Sequence, residues 1–187
     1  MRILCLDNEH NQPSGRIIQV GACIGDTSTG EVVSTFRRYC LLPQGEEIDP
    51  RIMDLTGIKP SDLVGAQPIA AVLEDLVRWR GGIADQSPGG VLTNPFTWGG
   101  LDHIELCRQA DVDHAGIFGR RFNDVKTVYV AWRMGQGKDH IKGGLARALT
   151  KFGLAFQGRI HDATDDSVNT FRAWMAMVKQ FKLHETL

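Results

Sequence analysis

The first residues that could do chemistry are two carboxylates, Asp7 and Glu9, which follow the apolar run RILCL. Side chains alternate along a β-strand, so a strand that continues to residue 9 places both carboxylates on one face. Neighbouring carboxylates repel unless a positive charge lies between them, and Mg²⁺ is held by a few carboxylates in this way. On its own the pair is weak evidence for a metal site, because Asp-x-Glu is a short pattern.

A third carboxylate, Asp102, follows two glycines in the stretch TWGGLD, at the opening of a predicted helix. Taken alone, it is explained more simply as a first-turn charge that complements the helix dipole. Its interpretation as a site residue therefore depends on the partners that the fold brings to it.

The stretch RIHDATDDSVNTF gathers His161, Asp162, Asp165 and Asp166 at the start of an amphipathic helix. Asp162 is the natural N-cap, because its side chain can accept hydrogen bonds from the first free backbone N–H groups. Capping does not explain the other three residues. An inward carboxylate beside a histidine favours a functional site.

A helical wheel separates the two adjacent aspartates. At 100° per residue, Asp166 lies at the edge of the apolar stripe, whereas Asp165 shares the polar side with Asn169 and Arg172. We therefore expect Asp166 to face the body of the protein and Asp165 to face water.

Three β-branched runs in the first 42 residues position the first carboxylates. RILCL, GRIIQVGACIGD and GEVVSTFRRYCLL predict an antiparallel meander, with the first run as a buried central strand. Asp49 and Pro50 predict the N-cap and first residue of a short helix, which reaches Thr56 and is ended by Gly57.

The rest of the chain alternates strands and helices. A helix from about Pro68 to Trp79 is expected to end at Gly81-Gly82, with GGIADQSPGG as a surface loop and VLTNPFTW as a strand broken by Pro95. Further helices are predicted over about 101–110, within NDVKTVYVAWRM after an extended start, within KGGLARALTKFGL with Gly153 as C-cap, and over about 162–182. The pattern indicates an α/β fold, with a mixed sheet covered by helices.

Composition and charge limit the classes of function. The 187 residues fit one domain, and the net charge of −1 argues against a protein that coats nucleic acid. Residues 119–160 nevertheless hold nine Lys or Arg against only two Asp. This basic region could attract a polyanion, although solvated helix faces explain it equally well.

The compartment is predicted from the cysteines and the apolar runs. The four cysteines form no CxxC pair and three lie in predicted strands, so buried reduced thiols and a reducing cytoplasm are expected. No apolar run reaches the roughly 20 residues that span a bilayer, and no membrane association is predicted. The N-terminal residues lack the features of a signal peptide.

Taken together, the spaced motifs resemble the DEDDh (DnaQ-like) 3′–5′ exonuclease family, whose pattern is Asp-x-Glu, a middle Asp and then His-x-Ala-x-x-Asp. The matching segments are DNE, WGGLD and HDATDD, and the likeness continues through IIQVGA, LTGI and KGGLARALTKFGLAFQGRIHDATDD. It spans nearly all of residues 1–187, as one exonuclease domain, and is greatest to the exoribonuclease branch. The fold implied is ribonuclease H-like, with an antiparallel meander plus parallel strands flanked by α-helices.

The resemblance implies a two-metal phosphodiester hydrolase. Asp7, Glu9, Asp102 and Asp166 would hold two Mg²⁺ or Mn²⁺ ions, which assist formation of the attacking hydroxide and stabilise the leaving 3′ oxygen. His161 would be the general base, a role that imidazole side chains often fill near neutral pH. The substrate would be the 3′ end of single-stranded RNA or DNA, with nucleoside 5′-monophosphates as products.

Substrate contacts implied by the resemblance lie in two segments. The backbone after the Asp-x-Glu pair, at Asn8 and His10, and the Leu55–Ile58 segment would cradle the terminal nucleotide, with Leu55 and Ile58 against its base. His10 departs from the usual Thr or Ala of the family, so the sugar preference does not carry over. The basic residues between Arg120 and Arg159 would hold the upstream backbone, contacts that position a strand without reading it.

Two alternatives come from other functional classes. A non-catalytic nucleic-acid-binding module could keep this fold, but all five catalytic positions are filled. A proofreading component of a DNA polymerase is the second, and it is not expected because nothing in residues 1–187 resembles a polymerase-binding tail.

Overall fold

A five-stranded sheet forms the centre of the computed structural model, which describes residues 1–138 and 144–184. The strands are β1 (Arg2–His10), β2 (Ile17–Asp26), β3 (Glu31–Tyr39), β4 (Val91–Thr97) and β5 (Asn123–Asp124). Their order is β3-β2-β1-β4-β5, in which β1 to β3 form an antiparallel meander and β4 and β5 add parallel strands. The predicted mixed sheet with β1 at its centre is confirmed.

Seven α-helices lie in the described part of the chain, with a short 3₁₀ helix at Pro60–Leu63. They are α1 (Pro50–Thr56), α2 (Ile69–Asp85), α3 (Asp102–Gln109), α4 (His114–Phe118), α5 (Val125–Gly135), α6 (Leu145–Lys151) and α7 (Ala163–His184). The predicted cap of α1 is confirmed, since Asp49 accepts a hydrogen bond from the Arg51 amide and Gly57 adopts a φ of 74°. In the described residues, no helix combines the length and apolar character needed to cross a membrane.

The two faces of the sheet bury different cores. Leu4 and Leu6 of β1 face α2, α3 and α4, whereas Ile3 and Cys5 face α5, α6 and α7. Because side chains alternate along a strand, Asp7 and Glu9 continue the face of Ile3 and Cys5. The predicted carboxylate pair therefore points toward α7. All four cysteines are buried with free thiols, as expected.

Two predicted boundaries are wrong. Helix α2 continues through Gly81 and Gly82 to Asp85. An interior glycine lowers the stability of a helix by only about 1 kcal/mol, and Ile83 packs against the core that contains Leu4 and Leu6. Pro95 does not interrupt β4, since the pairing register of β1 with β4 shifts between Ile3 and Cys5 and the missing amide is accommodated there.

The start of α7 rests directly on the sheet at Gly21. Gly21 is paired with Asp7 across the β1–β2 ladder, and a Cβ at Gly21 would overlap the backbone of Ala163 and Thr164. Residue 21 must therefore be glycine for the start of α7, which carries Asp166, to lie this close to Asp7.

Gly21→Ala should lower the free energy of unfolding by about 1–3 kcal/mol, because the methyl forces α7 away from the sheet. Gly81→Ala is the matched control: its Cβ would meet nothing within 4 Å, and it should stabilise helix α2 by about 0.5–1 kcal/mol. Urea denaturation of both variants measures the difference. Equal changes in stability would contradict the close approach at Gly21.

Candidate active site

Five predicted site residues converge from four parts of the chain. Asp7 and Glu9 end β1, Asp102 opens α3, His161 lies in the turn before α7, and Asp166 lies in the first turn of α7. Ligand atoms of Glu9, His161 and Asp166 all lie within 4.8 Å of one another. Asp7, His161 and Asp166 line a common pocket of about 250 Å³. The structure thus brings together residues that are up to 159 positions apart.

The four carboxylates all have raised pKa values, with burial as the largest cause for each. Burial, followed by the charges of Asp102, Glu9 and Asp166, holds the pKa of Asp7 well above its usual range. Burial and the neighbouring carboxylates raise the pKa of Glu9 to about 8. Burial likewise raises the pKa values of Asp102 and Asp166 to about 6. Such a cluster takes up protons or cations readily, because either one relieves the repulsion.

The second glycine of TWGGLD, Gly100, is explained by the position of Asp102. A Cβ at Gly100 would overlap the Asp102 carboxylate, and the Thr97 hydroxyl donates to the Gly100 carbonyl over 2.8 Å. The Asn8 side-chain amide donates to the backbone carbonyl of Asp102 over 2.8 Å. Asn8 therefore fixes the start of α3 against β1.

His161 occupies a strained turn. Its φ is 64°, in the left-handed region that non-glycine residues rarely adopt. The backbone amide of His161 donates a hydrogen bond to Oδ2 of Asp166 over 3.3 Å. The Asp162 carboxylate accepts hydrogen bonds from the amides of Thr164 and Asp165, each over 3.1 Å. The predicted N-cap role of Asp162 is confirmed, and the exposed imidazole is presented at the mouth of the site.

Two residues that the sequence did not single out support Asp162. Gln19 of β2 donates to Asp162 over 3.1 Å and accepts from the Ala163 amide over 2.9 Å. Arg37 of β3 donates to Asp162 over 2.6 Å. The polar glutamine within the apolar run IIQVGA was a sequence signal for the first contact. Gln19 is fully buried. Nothing in the local sequence distinguishes Arg37.

The prediction that Asp165 faces water is wrong. Its carboxylate accepts a hydrogen bond from the Arg159 amide over 2.8 Å. One turn later, fully buried Asn169 accepts from the Gln157 amide and donates to the Gln157 carbonyl, and Arg172 donates to the Ala155 carbonyl. The polar side of α7 is thus covered by residues 155–159, which lead directly to His161.

Asp165→Ala should lower turnover roughly 10-fold or more, because a displaced His161 is costly even when the shift is near 1 Å. Asp165→Asn keeps an acceptor oxygen and should have a mild effect. Steady-state kinetics compares the two variants, and Mn²⁺ affinity should be similar in both. Equal loss of turnover would show that charge, rather than the hydrogen bond to the loop, is what matters.

The residues predicted to contact substrate differ in their exposure to solvent. Leu55 is 48% exposed at the end of α1, but Ile58 is only 3% exposed within a core beside Ile18. The expectation that Ile58 lies against a base is therefore not met. The Asn8 side chain faces α3, which leaves its backbone for the predicted contact, and His10 is half-buried near Glu105.

Arg159 connects the two sides of the site. Its guanidinium lies against Gly57 and donates to the Asp54 carbonyl over 3.3 Å, while its amide is held by Asp165. The end of α1, with exposed Leu55, is thereby tied to the turn that carries His161.

The chain is similar to known proteins in sequence and in fold. A family model described as an exonuclease (RNase_T) matches residues 4–85. The human protein ERI1 exoribonuclease 2 is 27% identical over 188 residues, which cover 91% of this chain. The chain spans only 26% of that relative's own length.

Solved structures match over nearly the whole chain. The nuclease domain of 3′hExo, a DEDDh family member bound to rAMP, superposes with a TM-score of 0.79 at 19% identity and covers 96% of this chain and 92% of its own. The Mg²⁺- and Mn²⁺-bound form of S. pombe Pop2p gives 0.68 at 16% identity, covering 96% and 84% respectively. These likenesses establish the ribonuclease H-like fold. In sequence, the chain is similar to exonucleases over residues 4–85, and its fold is that of the DEDDh nuclease domain of 3′hExo.

Proposed function

We propose that the chain is a single-domain, metal-dependent 3′–5′ exonuclease that removes nucleoside 5′-monophosphates from single-stranded RNA or DNA ends. The convergence of Asp7, Glu9, Asp102 and Asp166 with His161 is the observation that carries this proposal. The exoribonuclease name of the human relative supports RNA as a substrate.

The residues fit a pair of hard divalent cations. Carboxylate oxygens are the donors that Mg²⁺ and Mn²⁺ prefer. Burial, followed by the charges of neighbouring carboxylates, raises the pKa values of Glu9 and Asp166, and bound cations would offset both effects. Asp7, Glu9, Asp102 and Asp166 would hold the ions. When bound, such ions polarise the phosphodiester and lower the pKa of water. The ions named for the S. pombe neighbour support this choice.

The chain's own groups would orient the reaction. His161 would accept the proton of the attacking water from its exposed position in the turn. Leu55 would lie against the terminal base, and the backbone at Asn8 and His10 would border the terminal sugar. Four buried free thiols favour a reducing compartment such as the cytoplasm.

His161→Ala should lower turnover roughly 100- to 10,000-fold, the usual contribution of a general base. Because the four carboxylates remain, calorimetry with Mn²⁺ should show nearly unchanged affinity. A large loss of Mn²⁺ binding would instead assign His161 as a metal ligand, which its distance to Glu9 and Asp166 permits.

One comparison tests the proposed function. Purified protein is incubated with single-stranded RNA, single-stranded DNA and duplexes, each with Mg²⁺, Mn²⁺ or a chelator. We expect hydrolysis of at least one single-stranded substrate with metal and none with chelator. Binding without hydrolysis under every condition would favour the non-catalytic module.

A further inference from the structure

A second concave surface, here called the α1 groove, lies beside helix α1. Its volume is about 480 Å³, which is within the usual range of protein ligand sites. The charged residues of its lining are two glutamates, Glu46 and Glu47. The rest of the lining is apolar and includes Leu41, Leu42, Ile48, Pro50, Met53 and Leu63.

The α1 groove is separate from the carboxylate site. Met53, which lines the groove, precedes Leu55 by two positions, and two positions correspond to about 200° around a helix. The groove therefore lies on the side of α1 opposite Leu55, the residue proposed to contact the terminal base. None of the five catalytic residues lines it. The proposed hydrolysis thus assigns this surface no role.

Packing holds the floor and walls of the α1 groove in place. Leu42 and Ile48 belong to a buried core, and Met53 and Leu63 pack against that core. The prolines that begin α1 and the 3₁₀ helix also line the groove, and proline has a fixed φ. A preformed surface of this kind loses little conformational entropy when a partner binds.

The α1 groove is open to solvent along one edge. Leu41 is 56% exposed, and Pro50 and Pro60 are also exposed. Sites for small molecules usually bury most of the ligand surface. An open apolar groove suits a segment of polypeptide better, because some side chains of the segment fill the groove while the others remain in water.

The two glutamates determine the charge that such a segment must carry. The buried Asn11 amide donates to Oε1 of Glu46 over 2.8 Å and to the backbone carbonyl of Glu47 over 3.0 Å, which fixes this part of the rim. Among the side chains that the structure describes, no Lys or Arg forms an ion pair with either glutamate. Their negative charge repels phosphates and attracts basic side chains.

We propose that the α1 groove docks a peptide segment of a partner protein. Two or three aliphatic or aromatic side chains of the segment fill the groove against Leu41, Met53 and Leu63, and an adjacent Lys or Arg pairs with Glu47. An apolar centre with a charged rim is the usual composition of a protein interface. Docking at this surface leaves the opposite side of α1, which carries Leu55, uncovered.

Phage that display random dodecapeptides test the kind of segment that binds. The phage are first depleted on a Leu41→Ala/Glu47→Lys double variant, which lacks the exposed apolar edge and has the opposite rim charge, and are then selected on the wild type. We expect enriched peptides to share two or three aliphatic or aromatic residues beside a Lys or Arg. Failure to enrich any peptide, or enrichment of peptides rich in Asp and Glu, would overturn the proposal.

Single variants then locate the contacts of one enriched, fluorescein-labelled peptide by fluorescence polarisation. Leu41→Ala should weaken binding roughly 5- to 30-fold, the usual effect of truncating an interface anchor. Glu47→Gln should weaken it roughly 2- to 5-fold, the effect of losing one exposed ion pair. Val112→Ala, a truncation of a 43% exposed residue outside the groove, should leave the affinity unchanged.

Equal affinities of the wild type, Leu41→Ala and Glu47→Gln would overturn the docking site. Replacing the basic residue of the peptide by Gln should abolish the effect of Glu47→Gln, and an effect that persists would overturn the ion pair. Sedimentation velocity without peptide tests another occupant. A wild-type dimer that Leu41→Ala dissociates would show that a second copy of the chain covers the groove, and would overturn the peptide partner.

Discussion

Asp166→Asn should reduce turnover by roughly 100- to 1000-fold or more, while making the metal-free protein more stable above pH 7. Loss of one charged group that stabilises a transition state has effects of this size. The stabilisation follows because Asp166 contributes to the repulsion that raises the pKa values of Asp7 and Glu9. Asparagine keeps an oxygen for the His161 amide, so the turn should retain its shape.

Steady-state kinetics measures the loss of turnover, and thermal unfolding in chelator measures the gain in stability. Asp85→Asn, an exposed substitution at the end of α2, is the matched control and should change neither quantity much. An Asp166→Asn protein that is less stable than the wild type in chelator would show that the carboxylate has a structural role rather than a metal-binding one.

The metal-free protein should lose stability as the pH rises from about 4 to about 8. Asp102 and Asp166 have folded pKa values of about 6, and Glu9 of about 8, all above the values for free side chains. In this window the folded state binds more protons than the unfolded state, so raising the pH favours unfolding. Below about pH 4 these carboxyl groups are protonated in both the folded and the unfolded state, so they no longer change the stability with pH.

The expected loss is on the order of 3 kcal/mol, since one pKa unit corresponds to about 1.4 kcal/mol and the groups are coupled. Thermal unfolding in chelator should show a fall in Tm of roughly 6–12 °C for a chain of this size. Adding Mn²⁺ at pH 8 should restore the Tm, because the ions replace the protons. A chelated protein that becomes more stable between pH 4 and pH 8 would contradict the observed carboxylate cluster.

The sequence predicted those parts of the fold in which local chemistry decides. Alternation placed Asp7 and Glu9 on one face, and the Asp49-Pro50 and Asp162 caps marked the starts of two helices. These features depend on neighbouring residues alone. They sufficed to predict the sheet centre and the direction of Asp166.

Other features depend on contacts between distant segments. A wheel assigns Asp165 and Asn169 to the polar side of α7, but only the fold shows that residues 155–159 cover that side. Helix α2 passes through two glycines because Ile83 has a core to pack against. Arg37 reaches Asp162 across 125 residues, which no local pattern records.

The most direct measurement follows a 5′-labelled single-stranded oligonucleotide with Mn²⁺ over time, using wild type and Asp166→Asn. We expect a ladder that shortens one nucleotide at a time from the 3′ end with the wild type, and an intact strand with the variant. Internal cuts in the wild type, or an equal ladder with a correctly folded Asp166→Asn, would contradict an exonuclease centre built on these carboxylates.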